Sequence, residues 1–462
     1  MRNKSKISIT LSILVFSISF AALTALAAPF FGEEMHITQP DGRVVFVRAY
    51  GDEFYHRLES LDGYTLIHDP ESGYLCYAAL NADRSEFLST GIVYSNEAAR
   101  DTNVRRLLHV TKGLELDQRH IDRKVQEARL LLLGDEQESR TSIRENTVNA
   151  TRSDGSVAPI YGVTIIVDFP DTKATQPSFS IAEVEAILNE EGYTGFGNNG
   201  SVRDYFLDMS GGLVDYRNRV FYYEAEHSKL HYAAGLRGDG VLANEALLGI
   251  MHNQDFIDYL LEVGDDVWMP ARGNEMALNI YYAGASLSGA LWPHYAQLGN
   301  LSQTIHGVSF NRYQITNQFT STVDTGLSIG MFVHENGHLL FSFTDLYGFQ
   351  GIGYYCVMAN GDSARKNPTP INPYFRYLAG WADPLSLNDM PSGTVIAAEA
   401  NARNPYIYYT HNPQQQFMVE YIQKEVGSRY EHFPHEGVVV YHITRNGTNL
   451  ADRSYPMVWV VS

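Results

Sequence analysis

The N-terminal third of the chain changes from a strand-like to a helical pattern of apolar positions. Residues 43–48 alternate between apolar and polar, as a half-buried strand does, and residues 114–133 repeat their apolar side chains at helical spacing. A polar tract with few large apolar residues then extends from 135 to 158. This pattern predicts a small α+β domain over 28–134 and a linker over 135–158.

Strands and helices mix between residues 159 and 385. Continuous apolar runs are typical of strands covered on both faces, whereas apolar positions three or four apart are typical of helices. The pattern predicts strands at 163–169 and 277–282, and helices at 181–189, 201–209 and 329–341. The last helix is apolar on all sides and should therefore be buried, with Asp324 or Thr325 as its cap.

Past Trp381 the pattern becomes β-rich. The clearest predicted strands are 394–397, 416–422 and 437–443, and 456–462 resembles the beginning of a further strand. We therefore expect 386–462 to be the β-rich C-terminal part of the main domain. The native chain could continue beyond Ser462. The predicted fold class is α+β with a mixed sheet.

The first 27 residues have the layout of a secretory signal peptide. Basic residues lie within the first six positions, an apolar run covers 7–26, and Ala25-Leu26-Ala27 fits the cleavage rule for small residues. The run is also long enough for an uncleaved membrane anchor, but its Ala-rich end and Pro29 favour cleavage. We expect a secreted, extracellular protein without a stable membrane anchor, and a periplasmic location stays open.

Charge and cysteine content exclude several classes of protein. The formal net charge is −19, which argues against nucleic acid and anionic membrane surfaces as partners because both demand basic patches. Only two cysteines, Cys76 and Cys356, occur in the whole chain. An exported protein with so few cysteines depends on its core or on bound ions rather than on a disulfide scaffold.

The apolar stretch 329–341 contains the motif HExxH, in which His334, Glu335 and His338 are the defined residues. On a helix, histidines four residues apart share one face and can bind one Zn²⁺, while the glutamate points to where a metal-bound water would lie. The alternative is a pair of hydrogen-bonded core histidines beside a capping glutamate. Because an unpaired buried polar group costs on the order of 1–3 kcal/mol, zinc is the better explanation for a buried helix.

This motif predicts hydrolysis of peptide bonds. A Zn²⁺ ion with one open position lowers the pKa of its water toward about 7 and polarises the scissile carbonyl. Glu335 would take the proton of that water and deliver it to the leaving amine. The predicted function is a zinc endopeptidase that acts on proteins or peptides.

Several sequence blocks resemble the M6 metallopeptidases, relatives of immune inhibitor A. In chain order these blocks are 51–59, 62–65, 200–206, 210–212, 282–284, 291–294, 345–348, 367–368, 379–381 and 437–442. Their order makes the resemblance specific. It implies a zincin-like catalytic domain with an active-site helix over 159–385, and a propeptide over 28–134 that inhibits the enzyme within the same chain.

By that resemblance, the family pattern HExxHxxGxxD makes Asp345 the third zinc ligand. Phe341 occupies the glycine position, and Asp345 follows His338 by seven residues rather than six. On a continued helix Asp345 would lie about 16 Å along the axis from the first histidine, so the helix must end soon after His338. A turn or cap role for Asp345 stays open, with Glu420 and Asp362 as reserve ligands.

Further site residues follow downstream and upstream of the motif. Met358 resembles the methionine turn that forms a packing floor beneath the zinc in related enzymes. Candidates to hydrogen-bond the developing oxyanion are Tyr347, Tyr354, Tyr355 and His294, among which the sequence does not choose.

The predicted layout is that of a zymogen, with Arg140, Arg144 and Arg152 as tryptic sites in the linker. Cys76 could bind the zinc through its thiolate as a cysteine switch, because thiolate is a strong zinc ligand. The residues around Cys76 resemble a strand, however, which favours a buried structural cysteine and inhibition by occlusion of the cleft.

The M6 resemblance also suggests a calcium site among the acidic residues Asp255, Asp258, Asp265 and Asp266. They lack the alternating Asp or Asn with Gly of an EF-hand loop, so a solvated acidic surface is equally open.

Two other functions compete with the peptidase. One is an exported binding or adhesion protein that keeps the peptidase fold without turnover, motivated by the irregular spacing to Asp345. The intact Glu335 argues against it. The other is a zinc hydrolase of cell-wall peptides or of a non-peptide amide, because specificity depends on the loops of the cleft.

Overall fold

The computed structural model of the 462-residue chain describes most of the sequence after residue 29. The described ranges are 30–51, 55–96, 112–133, 140–149, 157–173, 180–233, 238–285, 291–319, 326–347, 352–361, 366–444 and 457–461. The predicted signal peptide, 1–27, lies outside them. Within these ranges, every helix is too short or too polar to span a bilayer.

Six antiparallel strands form the N-terminal sheet in simple chain order. They are β1 (Phe30–Thr38), β2 (Val44–Gly51), β3 (His56–Ser60), β4 (Thr65–His68), β5 (Leu75–Leu80) and β6 (Phe87–Val93). In β2, Val45 and Val47 are buried while Val44 and Phe46 are exposed, so the predicted alternation holds. A helix, Gln118–Leu133, follows the sheet.

Part of the predicted linker, 135–158, is a helix, Arg140–Asn149, that packs on the main domain. Ile143 and Thr147 lie one turn apart and are buried. The Arg144 guanidinium donates to the carbonyl of Tyr377 at 3.1 Å and to that of Ala382 at 3.3 Å. Burial of Ile143 and the bonds of Arg144 therefore anchor a helix whose composition is otherwise polar. Arg144 is therefore a poor site for tryptic cleavage.

The central sheet has the order β10-β13-β9-β7-β8. Its strands are β7 (Ile160–Asp168), β8 (Tyr216–Glu224), β9 (Ala277–Ala285), β10 (His294–Gln297) and β13 (Arg312–Phe319), and β11 (Gln303–Ile305) pairs with β12 (Val308–Phe310) in a hairpin. Strands β13, β9, β7 and β8 are mutually parallel, whereas β10 runs antiparallel to β13 at one edge.

Helices cover both faces of the central sheet. They are Ile181–Asn189, Val202–Ser210, Lys229–Ala233, Gly238–Ile250, Gln254–Val263, Gly330–Phe341 and Pro373–Leu378. Val163 and Ile165 of β7 pack with the two helices between 238 and 263, whereas Ile166 faces the opposite way into the cluster that contains the helix Gly330–Phe341. We call this last element the HExxH helix.

Five strands form the C-terminal sheet in chain order. They are β14 (Leu385–Ser386), β15 (Tyr406–Tyr409), β16 (Gln415–Ile422), β17 (Gly437–Thr444) and β18 (Val458–Val460). Met418 and Tyr441 join the core of the HExxH helix. The predicted strand 394–397 is wrong, because this segment is an irregular loop in which Val395 is 95% exposed. The chain is therefore a mixed α/β molecule with several sheets, compatible with the α+β prediction.

Candidate metal centre

The HExxH helix begins without a local side-chain cap. Its N-cap residue is Ile329, and the predicted caps Asp324 and Thr325 lie outside the described residues. Asn198, distant in sequence, replaces them: its Oδ1 accepts from the Ile329 amide at 3.2 Å, and its Nδ2 donates to the Leu327 carbonyl at 2.9 Å. This long-range cap satisfies backbone groups that would otherwise be buried without partners.

Three side chains bring their ligand atoms together on one side of this helix. The distance between His334 Nε2 and His338 Nε2 is 3.2 Å, and Asp345 Oδ1 lies 3.1 Å from each of them. A tetrahedral ion with bonds of about 2.0–2.1 Å would hold its ligand atoms roughly 3.3–3.4 Å apart. The three atoms therefore form a triangle of the size that zinc requires.

The Nδ1 atoms of both histidines are engaged in hydrogen bonds to backbone carbonyls. His334 Nδ1 lies 2.7 Å from the carbonyl of Val357, and His338 Nδ1 is hydrogen-bonded to the carbonyl of Phe343. Each Nδ1 must donate to its carbonyl, so each neutral imidazole presents the lone pair of Nε2. Two such lone pairs and a carboxylate oxygen repel one another unless a metal ion lies between them or an imidazole is protonated. The donor set therefore fits a divalent metal.

The HExxH helix ends at Phe341, early enough for Asp345 to reach the histidines. Ser342 adopts the left-handed conformation with φ of 50°, and the amide of Phe343 bonds back to the Gly337 carbonyl at 3.2 Å. A left-handed residue at this position is a common way to stop a helix. Ser342 is thus the left-handed residue that ends the helix, and Asp345 follows it by three positions, the spacing from Gly to Asp in the pattern HExxHxxGxxD.

Met358 lies directly beneath the motif. Its Sδ would be 2.5 Å from a Cβ added to Gly337, so no larger side chain fits between the two histidines without movement. Cys356, two residues earlier, is a buried free thiol whose Sγ accepts from the backbone amides of Met358 and Asn372. The predicted packing role of Met358 therefore has a specific partner, the glycine of the motif.

A buried polar ladder fixes the rotation of the HExxH helix against the central sheet. The Tyr216 hydroxyl donates to Asn336 Oδ1 at 3.0 Å, and Asn279 Nδ2 donates to the Tyr216 oxygen at 2.9 Å. Gln314 in turn donates to Asn279 at 3.1 Å. These bonds link residues of β13, β9 and β8 and end at Asn336, beside Glu335, so they orient the helix face that holds the motif.

Electrostatics separate the roles of the two buried carboxyl groups. Burial raises the pKa of Glu335, and the nearby imidazoles of His334 and His338 only partly oppose it. Burial would also raise the pKa of Asp345, but the charge of His338 and hydrogen bonds from both histidines bring it far below its usual value. Glu335 thus has the environment of a proton acceptor, whereas Asp345 stays an anion.

The four oxyanion candidates lie in different environments. His294 is buried with both ring nitrogens engaged, at 2.6 Å from the Trp292 carbonyl and 2.6 Å from Asp239 Oδ2. Tyr355 bonds to His435 at 2.8 Å, Tyr354 is exposed, and Tyr347 is buried in the core.

Sequence reasoning missed Tyr295 and Arg272. The Tyr295 ring stacks on the ring of His338 with 6.4 Å between centroids, and its hydroxyl accepts from Arg272 at 2.9 Å. Arg272 also donates to the Leu339 carbonyl at 3.4 Å, near the end of the HExxH helix. The only sequence signal was the position of Tyr295 beside His294. Its contact with His338 arises from the packing of β10 on the helix.

Among the described residues, Glu420 and the four aspartates of the predicted calcium site do not gather at a metal site. Glu420 is paired with Arg376 in the core, and Asp362 lies outside the described residues. Asp258 accepts from Gln254 on an exposed helix face. In the part of the chain that the structure describes, the motif residues form the one group of three or more close metal-ligand side chains. The calcium prediction thus gains no support.

The N-terminal sheet contacts the central domain through Trp292. This indole is buried in the core of the N-terminal sheet and stacks on the ring of His56 at 5.4 Å between centroids. Cys76 is buried in β5, within the N-terminal sheet, and burial raises the pKa of its thiol. A buried structural cysteine is the interpretation that this environment favours.

Comparisons with known proteins leave the family open. No protein-family model and no curated protein matches the sequence. Among solved structures, the chain is similar to metalloproteinase-II from Bacteroides fragilis, with 12% identity, a TM-score of 0.26, and coverage of 76% of this chain and 86% of that chain. This likeness is too distant to assign the chain to the M6 family or to a type of reaction. A functional assignment therefore depends on the geometry of the site.

Proposed function

We propose that the protein is a secreted zinc-dependent endopeptidase, made as a zymogen of the M6 type with a zincin-like catalytic domain. The observation that carries the proposal is the triangle of His334 Nε2, His338 Nε2 and Asp345 Oδ1 beside the buried carboxyl of Glu335. Three protein ligands leave one position of a tetrahedral ion open, which is the arrangement of catalytic rather than structural zinc.

The two histidines and Asp345 would hold the ion, and the carbonyls of Val357 and Phe343 keep the imidazoles in the correct tautomer. The ion supplies Lewis acidity toward the scissile carbonyl and the attacking water. Glu335 accepts a proton from that water and later delivers it to the leaving amine, a task for which its raised pKa is suited.

The N-terminal sheet and the helix Gln118–Leu133 that follows it, together the N-terminal unit, support the zymogen proposal by their position. Strand β10 is the edge of the central sheet and includes Tyr295, which stacks on His338. The helix Gln118–Leu133 lies against this strand, and Trp292, just before it, is buried in the N-terminal sheet. An extended peptide can add to a free sheet edge through main-chain hydrogen bonds. The N-terminal unit would thus compete with substrate until it is released.

The test is casein hydrolysis by the full chain after limited trypsin treatment, with and without a zinc chelator. Glu335→Ala should lower the rate by roughly 10²–10⁴ because it removes acid–base catalysis. Glu191→Ala, at an exposed glutamate, is the matched control and should keep full activity.

Zinc content separates a peptidase from a protein that only binds the metal. Metal analysis should find zinc retained in Glu335→Ala and lost in His338→Ala. A folded, zinc-loaded and trypsin-treated wild-type chain that leaves casein intact would contradict the proposal. Equal activity of wild type and Glu335→Ala would contradict the assigned base.

A further inference from the structure

The helix Arg140–Asn149, which we call the linker helix, shares its core with the HExxH helix. Ile143 is buried in the apolar cluster that contains the HExxH helix. Thr147, one turn later, is also buried, and its hydroxyl donates to the carbonyl of Ile143 at 2.9 Å. A segment that only joins two domains is normally exposed and makes few contacts. The burial of the linker helix therefore indicates that it is part of the main domain.

Arg144 of the linker helix holds the C-terminal end of the helix Pro373–Leu378. Its Nη1 donates to the carbonyls of both Tyr377 and Ala382. Its guanidinium also lies over the ring of Tyr377, 5.2 Å from the centroid, and pairs with Asp383 at 3.4 Å. A cation at this end of a helix satisfies carbonyls that have no partner within the helix. Arg144 thus fixes the position of the helix Pro373–Leu378.

The helix Pro373–Leu378 in turn supports His338. Phe375 of this helix stacks on Phe343 with 4.7 Å between ring centroids. The carbonyl of Phe343 accepts from His338 Nδ1, and this bond fixes the tautomer that presents Nε2 to a metal. Arg144 is therefore connected to His338 through the two stacked rings.

A second set of contacts connects the linker helix with the end of the HExxH helix through the loop 269–273. Asn146 Nδ2 donates to the carbonyl of Pro270 at 2.9 Å. The amide of the next residue, Ala271, donates to the carbonyl of Leu340 at 3.0 Å. The loop thus caps the last turn of the HExxH helix while the linker helix holds the loop.

Arg272 extends this second set of contacts to His338 itself. Its guanidinium donates to the Leu339 carbonyl and to the hydroxyl of Tyr295. The ring of Tyr295 stacks on the ring of His338. The linker helix is therefore connected to the same imidazole by two different series of residues.

We propose that the linker helix positions His338 and stays with the main domain when the N-terminal unit is released. Activating hydrolysis, in which one water cleaves one peptide bond, then falls at or before the bond that follows Arg140. The inference rests on the proposed peptidase function and concerns how that enzyme is processed. Arg144 and Asn146 are positioning residues, because they act on the metal site only through other residues.

The first experiment measures the zinc affinity of the uncut full chain by titration with Zn²⁺ in competition with a chelator. Arg144→Ala should weaken zinc binding by about tenfold, because losing support behind a metal ligand typically costs roughly 10- to 100-fold. Arg144→Lys should recover most of the affinity, since one nitrogen makes both carbonyl bonds. Arg123→Ala, at an exposed arginine of the helix Gln118–Leu133, is the matched control and should change nothing.

The zinc affinity separates positioning from mere stabilisation. A residue that only stabilises the fold lowers the melting temperature and leaves the zinc affinity of the folded chain unchanged. Asn146→Ala, at an exposed position, tests the second set of contacts even where Arg144→Ala fails to fold. It should weaken zinc binding by about threefold, because it removes a single hydrogen bond. Zinc affinity within about 1.5-fold of wild type in both variants would overturn the positioning role.

The second experiment maps the processing. The full chain is treated with trypsin for increasing times, and the species that hydrolyses casein is identified by N-terminal sequencing and intact mass. It should begin at or before Thr141. Arg152→Gln removes the tryptic site that follows the linker helix in sequence and should be activated as fast as the wild type.

The outcomes separate this proposal from the proposed function. A fully active species that lacks residues 140–149, or an Arg152→Gln chain that trypsin no longer activates, would overturn retention of the linker helix. A wild type that leaves casein intact after trypsin treatment contradicts the proposed function, while the zinc titration still decides the positioning role.

Discussion

The N-terminal and C-terminal sheets both flank the central domain, yet their apolar residues belong to different cores. The N-terminal sheet has its own cluster, to which the central domain contributes Trp292. The C-terminal sheet adds Met418, Tyr441 and Ile443 to the cluster that contains the HExxH helix. A separate core allows a unit to be removed without unfolding its neighbour, whereas a shared core does not. The first sheet therefore suits the proposed propeptide, and the second belongs to the same body as the HExxH helix.

The largest effect is expected from removing a charge in the core that the C-terminal sheet shares with the HExxH helix. Arg376 and Glu420 are both buried and form an ion pair between the helix Pro373–Leu378 and β16. Glu420→Ala leaves the guanidinium buried without its carboxylate, which should cost about 4 kcal/mol. Urea unfolding followed by tryptophan fluorescence measures the loss. Glu425→Ala, at an exposed glutamate, is the control, and a loss below about 1 kcal/mol for Glu420→Ala would refute the shared core.

A second substitution tests the separate core of the N-terminal sheet. Trp292→Ala removes the indole from the core of the N-terminal sheet, which should destabilise that sheet by about 3 kcal/mol. Hydrogen exchange followed by mass spectrometry should show faster exchange in β2 and β3 and unchanged exchange in β16 and β17. Glu420→Ala should give the reverse pattern. Equal acceleration in both sheets would show that the two units unfold together.

The smallest expected effect concerns the turn at the C-terminal end of the HExxH helix. Ser342 has a left-handed backbone, and its hydroxyl has no hydrogen-bond partner among the described residues. Ser342→Gly should stabilise the chain by about 0.5–1 kcal/mol because glycine adopts this conformation without strain. Thermal unfolding measures the gain. Ser342→Ala loses the hydroxyl but keeps the strained backbone, so an equal gain there would assign the effect to the hydroxyl.

The periodicity of apolar residues predicted those helices and strands whose apolar side chains are buried on one face. The helix Ile181–Asn189 has its predicted bounds because three of its residues, Val184, Ile187 and Leu188, recur on one face. The segment 394–397 failed because Thr, Val and Ile have high strand propensity, whereas nothing covers Val395. Strand propensity reflects packing on neighbours, which the local sequence does not contain.

In the candidate site, too, some positions could be predicted from the sequence and others could not. The position of His334 relative to His338 could be predicted because residues four apart share one face of a helix, whereas the expected approach of Asp345 came from the M6 resemblance. Asn198, Tyr216 and Arg272 could not, because each reaches the HExxH helix from more than 60 residues away in sequence. Their contacts depend on how β-strands and loops meet, for which one sequence holds no signal.

The close approach of Met358 to Gly337 has a consequence for protein design. In the motif, the two positions between Glu335 and His338 are written as unspecified letters, but here each has a partner: Asn336 accepts from Tyr216, and Gly337 faces Met358. A helix with this motif grafted onto another scaffold would need both the tyrosine and the methionine to reproduce its tilt. In this chain the motif is effectively five residues long, with a sixth and a seventh contributed from other parts of the fold.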